Sequence, residues 1–395
     1  MDGLTHSLVG LTSAKAGLER LSPYSAAACI LSANAPDIDF VSFFFGGRWV
    51  LLQHHRGITH SIVGTLALGL LIPTILFGIE RAIAGWRKRP PSIQYRGLVL
   101  ASLIAAATHP LMDWTNNYGV RPLLPWDGRW FYGDLVFIVD PYLLLVLGGA
   151  AFLLTSNRRW KIVVWSLLAV VITIIVVRVS PPRAAASGGL TAARAIWITG
   201  VLGLVIARST GLQKRLGRRL AIGALSFVII YWAFLAWAHH AAYQNAEAEA
   251  NAIASQRSER FIRVAAMPTA ANPFQWLCVA ETDRAMYRFF VGITDKKSTE
   301  DLANAIVDGN RADGSTVIER YGKPTGQDER LVLAASRDSR AQVLLGFARF
   351  PIARVENHNC IGQTLVQFAD LRYTEPGASR GAFSLSVPVD CPPAP

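Results

Sequence analysis

The chain has 395 residues, of which 52% are hydrophobic and only 17% charged, with a mean hydropathy of +0.31. Soluble globular domains carry about 25% charged residues, so the deficit excludes an ordinary soluble protein. The net charge of +12 would direct a soluble chain toward nucleic acid, but many basic residues sit in short loops between apolar runs, where they orient a membrane protein; no nucleic-acid partner is expected.

In chain order, two short apolar stretches come first, 4–20 (LTHSLVGLTSAKAGLER) and 23–35 (PYSAAACILSANA). The "LSP" between them is a natural break, with Ser22 as N-cap and Pro23 at the first helical position, so the pair reads as a helical hairpin. The start lacks a basic n-region and a continuous apolar h-region, which argues against a cleaved signal peptide. Six runs then approach the roughly 20 apolar residues that a spanning helix needs: 61–79, 97–115, 135–154, 160–178, 190–208 and 219–238. The loops at 80–96, 155–161 and 208–219 hold five, three and five Lys/Arg. They fall on one side if all six runs span, and the positive-inside rule makes that side cytoplasmic. Lys15, Glu19 and Arg20 fall there too. The other side receives 46–60, 116–134 and everything after about 240. The fold class is therefore mainly α: a transmembrane helical domain over 1–240, an Ala/Glu-rich helical linker at 241–260, and an α+β domain outside the membrane at 261–395. In that domain 275–281, 286–293, 365–373 and 383–389 read as strands and 328–347 as a helix. Cys278, Cys360 and Cys391 lie on the oxidising side of a bacterial membrane, where one disulfide is expected with its pairing open. Cys29, in the hairpin, reads as a packing residue.

The ionisable residues of the helical domain gather on the outer side. His6 lies near the outer end of the first short helix, and Asp37 and Asp39 (NAPDIDF) just beyond the second. His54, His55 and His60 (LLQHHRGITH) precede the first long span, and His109 and Asp113 (THPLMDW) end the second. His109 and Asp113 are spaced i,i+4, so one helix face offers an imidazole and a carboxylate to one ion. Gly57 lets the chain turn between His55 and His60. Nitrogen and carboxylate oxygen without cysteine suit a divalent metal, zinc first, with manganese or iron as alternatives, and the ligand supply suffices for one or two ions. A hydrogen-bonded polar network is the competing account of the cluster. His54 should diverge from its neighbour, leaving His55 to ligate. Arg56 is placed either to grip an anionic substrate or to snorkel toward headgroups.

Thr59 and Ser61 read as helix caps, His239 and His240 as interfacial residues closing the last span, and His358 as ordinary. In 116–140, Trp126, Trp130, Phe131 and Tyr132 fit an interfacial aromatic belt; Asn117, Arg121 and Asp134 could rim the site and contact substrate. Asp140 before Pro141 reads as an N-cap with Pro at N1.

The segments MDGLTHSLVG, NAPDIDF, HHRGITHS, HPLMDWTNNYG and GRWFYGDLVFIVDP together resemble the bacterial membrane-bound metal-dependent hydrolase family described as LexA-regulated or YdjM-like. The resemblance is close over residues 1 to about 150 and implies a hydrolase. The His/Asp pattern is also similar to that of zinc-dependent phospholipase C and P1-type nucleases, which act on phosphoesters; those enzymes use an N-terminal Trp amine where this chain has Met1-Asp2. The combined expectation is metal-assisted hydrolysis at the outer face of a bacterial inner membrane. His6, His55, His60, His109 and Asp113 would bind the metal, with Asp37 as a further or bridging ligand. Asp39 would accept or orient a proton, Arg56 would stabilise developing negative charge, and the substrate would be a lipid or lipid-linked phosphoester among membrane lipids. The alternative is a non-catalytic metal-binding regulator or a transporter. A transporter should carry ionisable residues at mid-membrane on several helices, whereas 160–178 and 219–238 hold almost none.

Overall fold

The computed structural model describes residues 1–178, 187–294, 306–308, 318–357, 362–378 and 381–391. Helix α1 (Gly3–Lys15) opens on Asp2, whose Oδ1 accepts from the Thr5 amide at 2.9 Å. A short 3-10 turn at Leu18–Arg20 leads to α2 (Ser25–Asn34). The hairpin forms as expected, but its second helix starts two residues past Pro23, behind a left-handed Tyr24. Ser22 does not cap α2. Its Oγ accepts from the Gln94 amide at 2.9 Å, at the entry of a later helix, because the tertiary neighbour offers a buried donor that the local chain does not. Gly10 sets the α1–α2 separation: a Cβ there would lie 2.7 Å from the Cys29 carbonyl oxygen.

A 3-10 helix (Ala35–Ser42) and α3 (Phe43–His54, kinked at Gly46–Gly47) follow. Next come a one-turn 3-10 helix at Ile58–His60, α4 (Ile62–Trp86) and α5 (Tyr95–Trp114). Ser61 caps α4 by accepting from the Gly64 amide at 3.1 Å. The run expected to span from 135 begins only at Pro141. Asp140 accepts from the Tyr142 and Leu143 amides at 2.8 and 3.0 Å and starts α6 (Pro141–Thr155) with proline at N1. Its 15 residues reach only about 22 Å, short of the roughly 30 Å hydrocarbon core, and Leu143 and Leu147 are fully buried. It is a core helix, apolar because protein surrounds it. Helices α7 (Arg159–Arg178), α8 (Ser187–Ser209), α9 (Leu212–Leu216) and α10 (Arg218–Gln256) complete the bundle. Six stretches among the described residues are long and apolar enough to cross a membrane. The number matches the expectation, but the bent stretch Ser25–His54 takes the place of 135–154.

The 241–260 linker is not a separate element. At 39 residues, α10 extends for about 58 Å, so it crosses the membrane and continues beyond it. Ala238, Ala242, Ala246 and Ala250 form a buried stripe against Val264, Trp276, Tyr287 and Phe289. Alanine every fourth residue keeps one helix face flat, which lets a sheet lie close to it. That sheet is five-stranded, in the order β1-β2-β3-β5-β4 (Phe261–Thr269, Asn272–Thr282, Ala285–Gly292, Ile318–Gly322, Ile306–Asp308). A three-stranded antiparallel sheet, β6-β7-β8 (Pro351–Val355, Gln363–Asp370, Ser384–Asp390), packs with α11 (Gln327–Ala335) and α12 (Ser339–Phe347). The α+β class holds. The single helix expected at 328–347 is two, because Asp338 caps a new start on the Arg340 amide at 2.8 Å. Strands β1, β4, β5 and β6 were not foreseen: prolines at 268 and 351 hide the alternation of β1 and β6, and β4 and β5, of three and five residues, are too short to show one.

Cys391 is in a disulfide, and Cys29 and Cys278 are buried thiols; Cys360 and His358 lie outside the described residues. His239 packs on Trp276, with ring centroids 5.2 Å apart, so it joins helix to sheet and is not a headgroup residue. Trp126 is exposed as a belt residue would be. Trp130 and Tyr132 instead meet the C-terminal domain, at Phe347 and Arg349.

Candidate metal centre

The N-terminal ends of α1 and α4 and the C-terminal ends of α2 and α5 meet at one point. His60 Nε2 lies 3.1 Å from His109 Nε2, 3.5 Å from Asp37 Oδ1 and 3.3 Å from Asp113 Oδ2. His109 Nε2 lies 3.5 Å from both Asp37 Oδ1 and Asp113 Oδ2. Tetrahedral bonds of about 2.0–2.2 Å would hold ligand atoms roughly 3.3–3.6 Å apart, so these five separations are close to five edges of such a coordination shell.

Proton positions sharpen the point. His109 Nδ1 is 2.6 Å from the Ala33 carbonyl oxygen, which can only accept, so Nδ1 carries the proton and Nε2 presents a lone pair. His60 Nδ1 faces Asp39 Oδ2 at 3.2 Å, with the same consequence. Two imidazole lone pairs and two carboxylate oxygens thus point at one another. These four acceptors, three of them buried, repel one another; Arg56 Nε, 3.1 Å from Asp113 Oδ2, offsets part of that, and a divalent cation at their centre would reverse the sign. Outer partners that fix a ligating histidine's tautomer are typical of metal sites, so this donor set fits a metal.

Each remaining residue has a definite place. His6 lies outside this four-atom group; it stacks on His109 with ring centroids 3.7 Å apart, and its Nε2 is 3.3 Å from Asp113 Oδ1. The Met1 amino nitrogen also contacts Asp113 Oδ1. His55 belongs to a second group, with Asp39 and His60, its Nδ1 2.9 Å from Asp39 Oδ1. His54 lies outside both groups. Burial lowers the His55 pKa below the ordinary imidazole value, an effect that Asp39 partly offsets.

Two roles change. Asp39 was expected to accept or to orient a proton. Its Oδ2 accepts from the Arg56 amide and the Thr59 hydroxyl, each at 3.0 Å, besides facing His60, and its Oδ1 is taken by His55. A carboxylate so engaged aligns its neighbours and has little capacity left for a water. Arg56 was expected to grip substrate or to snorkel; it is 1% exposed, so it does not snorkel, and its donors meet protein groups. Its Nε meets Asp113 Oδ2 at 3.1 Å, and its Nη1 donates to Asn116 Oδ1 at 2.8 Å and to the Asp113 carbonyl oxygen at 3.1 Å. Burial pulls its pKa down to about 10, which still leaves a cation at neutral pH, here spent on holding Asp113 and the turn after α5. Thr59 likewise serves Asp39 and caps nothing.

The expected substrate rim is also differently used. Asp134 is buried and paired with Arg349 at 2.7 Å, and the Asn117 carbonyl oxygen accepts from Arg372 at 2.7 Å. Arg121 donates to the Gln53 carbonyl oxygen at 3.0 Å and stacks on Trp130. All three meet protein, two of them the C-terminal domain. Asn116, Tyr118 and the Ala33 carbonyl were missed. The doubled Asn three residues past Asp113 was the one available signal; a backbone carbonyl leaves none.

The motifs lie within a recognisable family: residues 1–184 match that described as YdjM inner membrane protein. An inner membrane protein, YbcI of Escherichia coli K12, is 31% identical over 148 residues, covering 36% of this chain and 78% of YbcI. The chain belongs to the YdjM inner membrane protein family. A second relative is the uncharacterized protein YfhP of Bacillus subtilis strain 168, 28% identical over 155 residues, or 37% of this chain. That match spans 43% of YfhP, under half of its length. No solved structure matches. The apolar helices and the family together make this a multi-pass inner membrane protein, and every residue of the candidate centre falls inside the YdjM region.

Proposed function

We propose that the chain is a membrane-embedded, metal-dependent hydrolase acting on a phosphoester or lipid-linked substrate at the outer face of the inner membrane. The carrying observation is the set of four converging acceptors, Asp37, His60, His109 and Asp113, at near-tetrahedral spacing. A divalent ion there, zinc or else manganese or iron, supplies Lewis acidity and lowers the pKa of bound water toward about 7. The outer-face assignment rests on the basic loops, which lie at the opposite helix ends and favour the cytoplasm.

The chain's own residues divide the remaining work. Asp39 holds His60 and His55, and Arg56 and His6 hold Asp113. His55 is partly exposed at the rim with its Nδ1 tied to Asp39, the arrangement that suits an imidazole to accept a proton from water. Asp37, 20% exposed, is the most open member of the four. The exposed side chains beside it are Ile38, Phe40 and Val41, apolar as an amphiphilic substrate would require.

One observation favours the non-catalytic alternative. Four protein ligands close a tetrahedron, and closed sites are more often structural. The experiment that separates the two uses purified full-length protein, metal-loaded, assayed for metal content and for product from phosphatidic acid vesicles and a soluble phosphodiester. The hydrolase reading expects turnover by wild type, a loss of about 10²–10⁴-fold in His55→Gln with metal retained, and loss of both metal and turnover in His60→Ala. Metal-replete wild type that releases no product from either substrate leaves the metal-binding regulator as the better account.

A further inference from the structure

The YdjM match ends at residue 184, yet residues beyond 340 reach the turn that carries the Asp113 support. Arg372 is 3% exposed. Its Nε and Nη2 engage Asp370 Oδ2 at 2.8 and 2.6 Å, its Nη2 also donates to the Phe347 carbonyl oxygen at 3.1 Å, and its Nη1 donates to the Asn117 carbonyl oxygen at 2.7 Å. One residue back, Asn116 Oδ1 accepts from Arg56 Nη1 at 2.8 Å and from the Tyr118 amide at 2.9 Å. Arg56 in turn bonds Asp113 Oδ2. The Tyr118 ring completes the clamp, with Arg56 over it at 4.6 Å and Phe347 of the outer domain packed at 4.7 Å. The turn needs this support. Gly119 has φ +85° and its carbonyl oxygen accepts from Arg56 at 3.3 Å, so residues 116–119 lie between two buried guanidiniums with few bonds of their own.

We propose that Arg372 is a positioning residue for the metal centre: the outer domain, through Arg372 and the 116–119 turn, holds Arg56 and thereby Asp113 in ligating geometry. The inference rests on the metal reading of the site. A buried arginine with three acceptors on three segments of the chain is a rigid fork, and its planar geometry makes the contact directional in a way that lysine cannot copy. The domain beyond 260 is then part of the site's construction, and a chain holding only the helical domain would bind metal poorly.

The test uses full-length protein in detergent, stripped of metal and titrated with cobalt(II), read by visible absorption and by affinity. Wild type should bind with an absorption band characteristic of low coordination number. Arg372→Gln should weaken binding by about tenfold or more, within the range of 5–150-fold typical of coupled sites, and should shift the band. Arg372→Lys should give an intermediate band. Arg340→Gln, at an exposed pair with Asp338, should match wild type and controls for charge loss. Wild type without cobalt binding overturns the metal reading itself. Wild-type binding with an unchanged band and affinity in Arg372→Gln overturns the positioning role alone. Should Arg372→Gln not fold, Asp370→Asn, which loosens the guanidinium without removing it, is read by the same criteria, and an unaltered cobalt site there is equally fatal.

Discussion

Removal of His109 puts the four-acceptor centre to its most direct test. In metal-free protein, His109→Ala leaves the buried Ala33 carbonyl without its 2.6 Å donor, at a cost of about 1–3 kcal/mol, and removes the ring stacked on His6. It also relieves the 3.1 Å crowding of two imidazole lone pairs, so the net loss without metal should fall near the lower end. With metal the contrast is larger. At a free ion concentration of 100 Kd, wild type gains about 2.7 kcal/mol. Loss of one ligand in four should raise Kd beyond the 10–100-fold seen for outer partners. A hundredfold rise leaves about 0.4 kcal/mol at the same concentration. The assay is thermal unfolding of the full chain in detergent, followed by tryptophan fluorescence, with zinc or manganese added after chelation. Wild type should show a metal-dependent rise in Tm that His109→Ala lacks. An equal rise in both proteins would refute the centre as drawn.

Two further outcomes test the frame around it. Reporter fusions after Lys88 and Lys214 should report the cytoplasm and one after Gln256 the periplasm; a cytoplasmic signal at 256 would place the centre on the inner face and remove the outer-face proposal. Gly10→Ala should destabilise the α1–α2 hairpin by about 1–3 kcal/mol, since its Cβ would lie 2.7 Å from a backbone oxygen and 3.0 Å from the Ala33 Cβ. That variant should also lose metal affinity, because Ala33 holds His109; a wild-type Tm would show that the two helices can separate at no cost.

The sequence by itself determined the features that depend on composition and spacing. Apolar runs of spanning length announce membrane helices because hydrocarbon admits little else, and basic loops alternating with them fix which ends lie together. The i,i+4 pair His109/Asp113 and the caps at Ser61 and Asp140 were legible because helix geometry is local. Tertiary structure decided the rest. α6 and a membrane span are alike in hydropathy, and only packing distinguishes an apolar helix inside protein from one in lipid. Ser22 caps α5 and not its own helix, and Arg56 faces Asp113 and not solvent, because a buried polar group takes whichever partner the fold supplies. Arg372 reaches Asn117 across 255 residues of chain, a distance at which sequence spacing carries no signal. Whether a histidine ligates depends on where its other ring nitrogen finds an acceptor, and for His109 that acceptor is the carbonyl of Ala33, a main-chain atom present at every position and made specific only by the packing of α2 on α5.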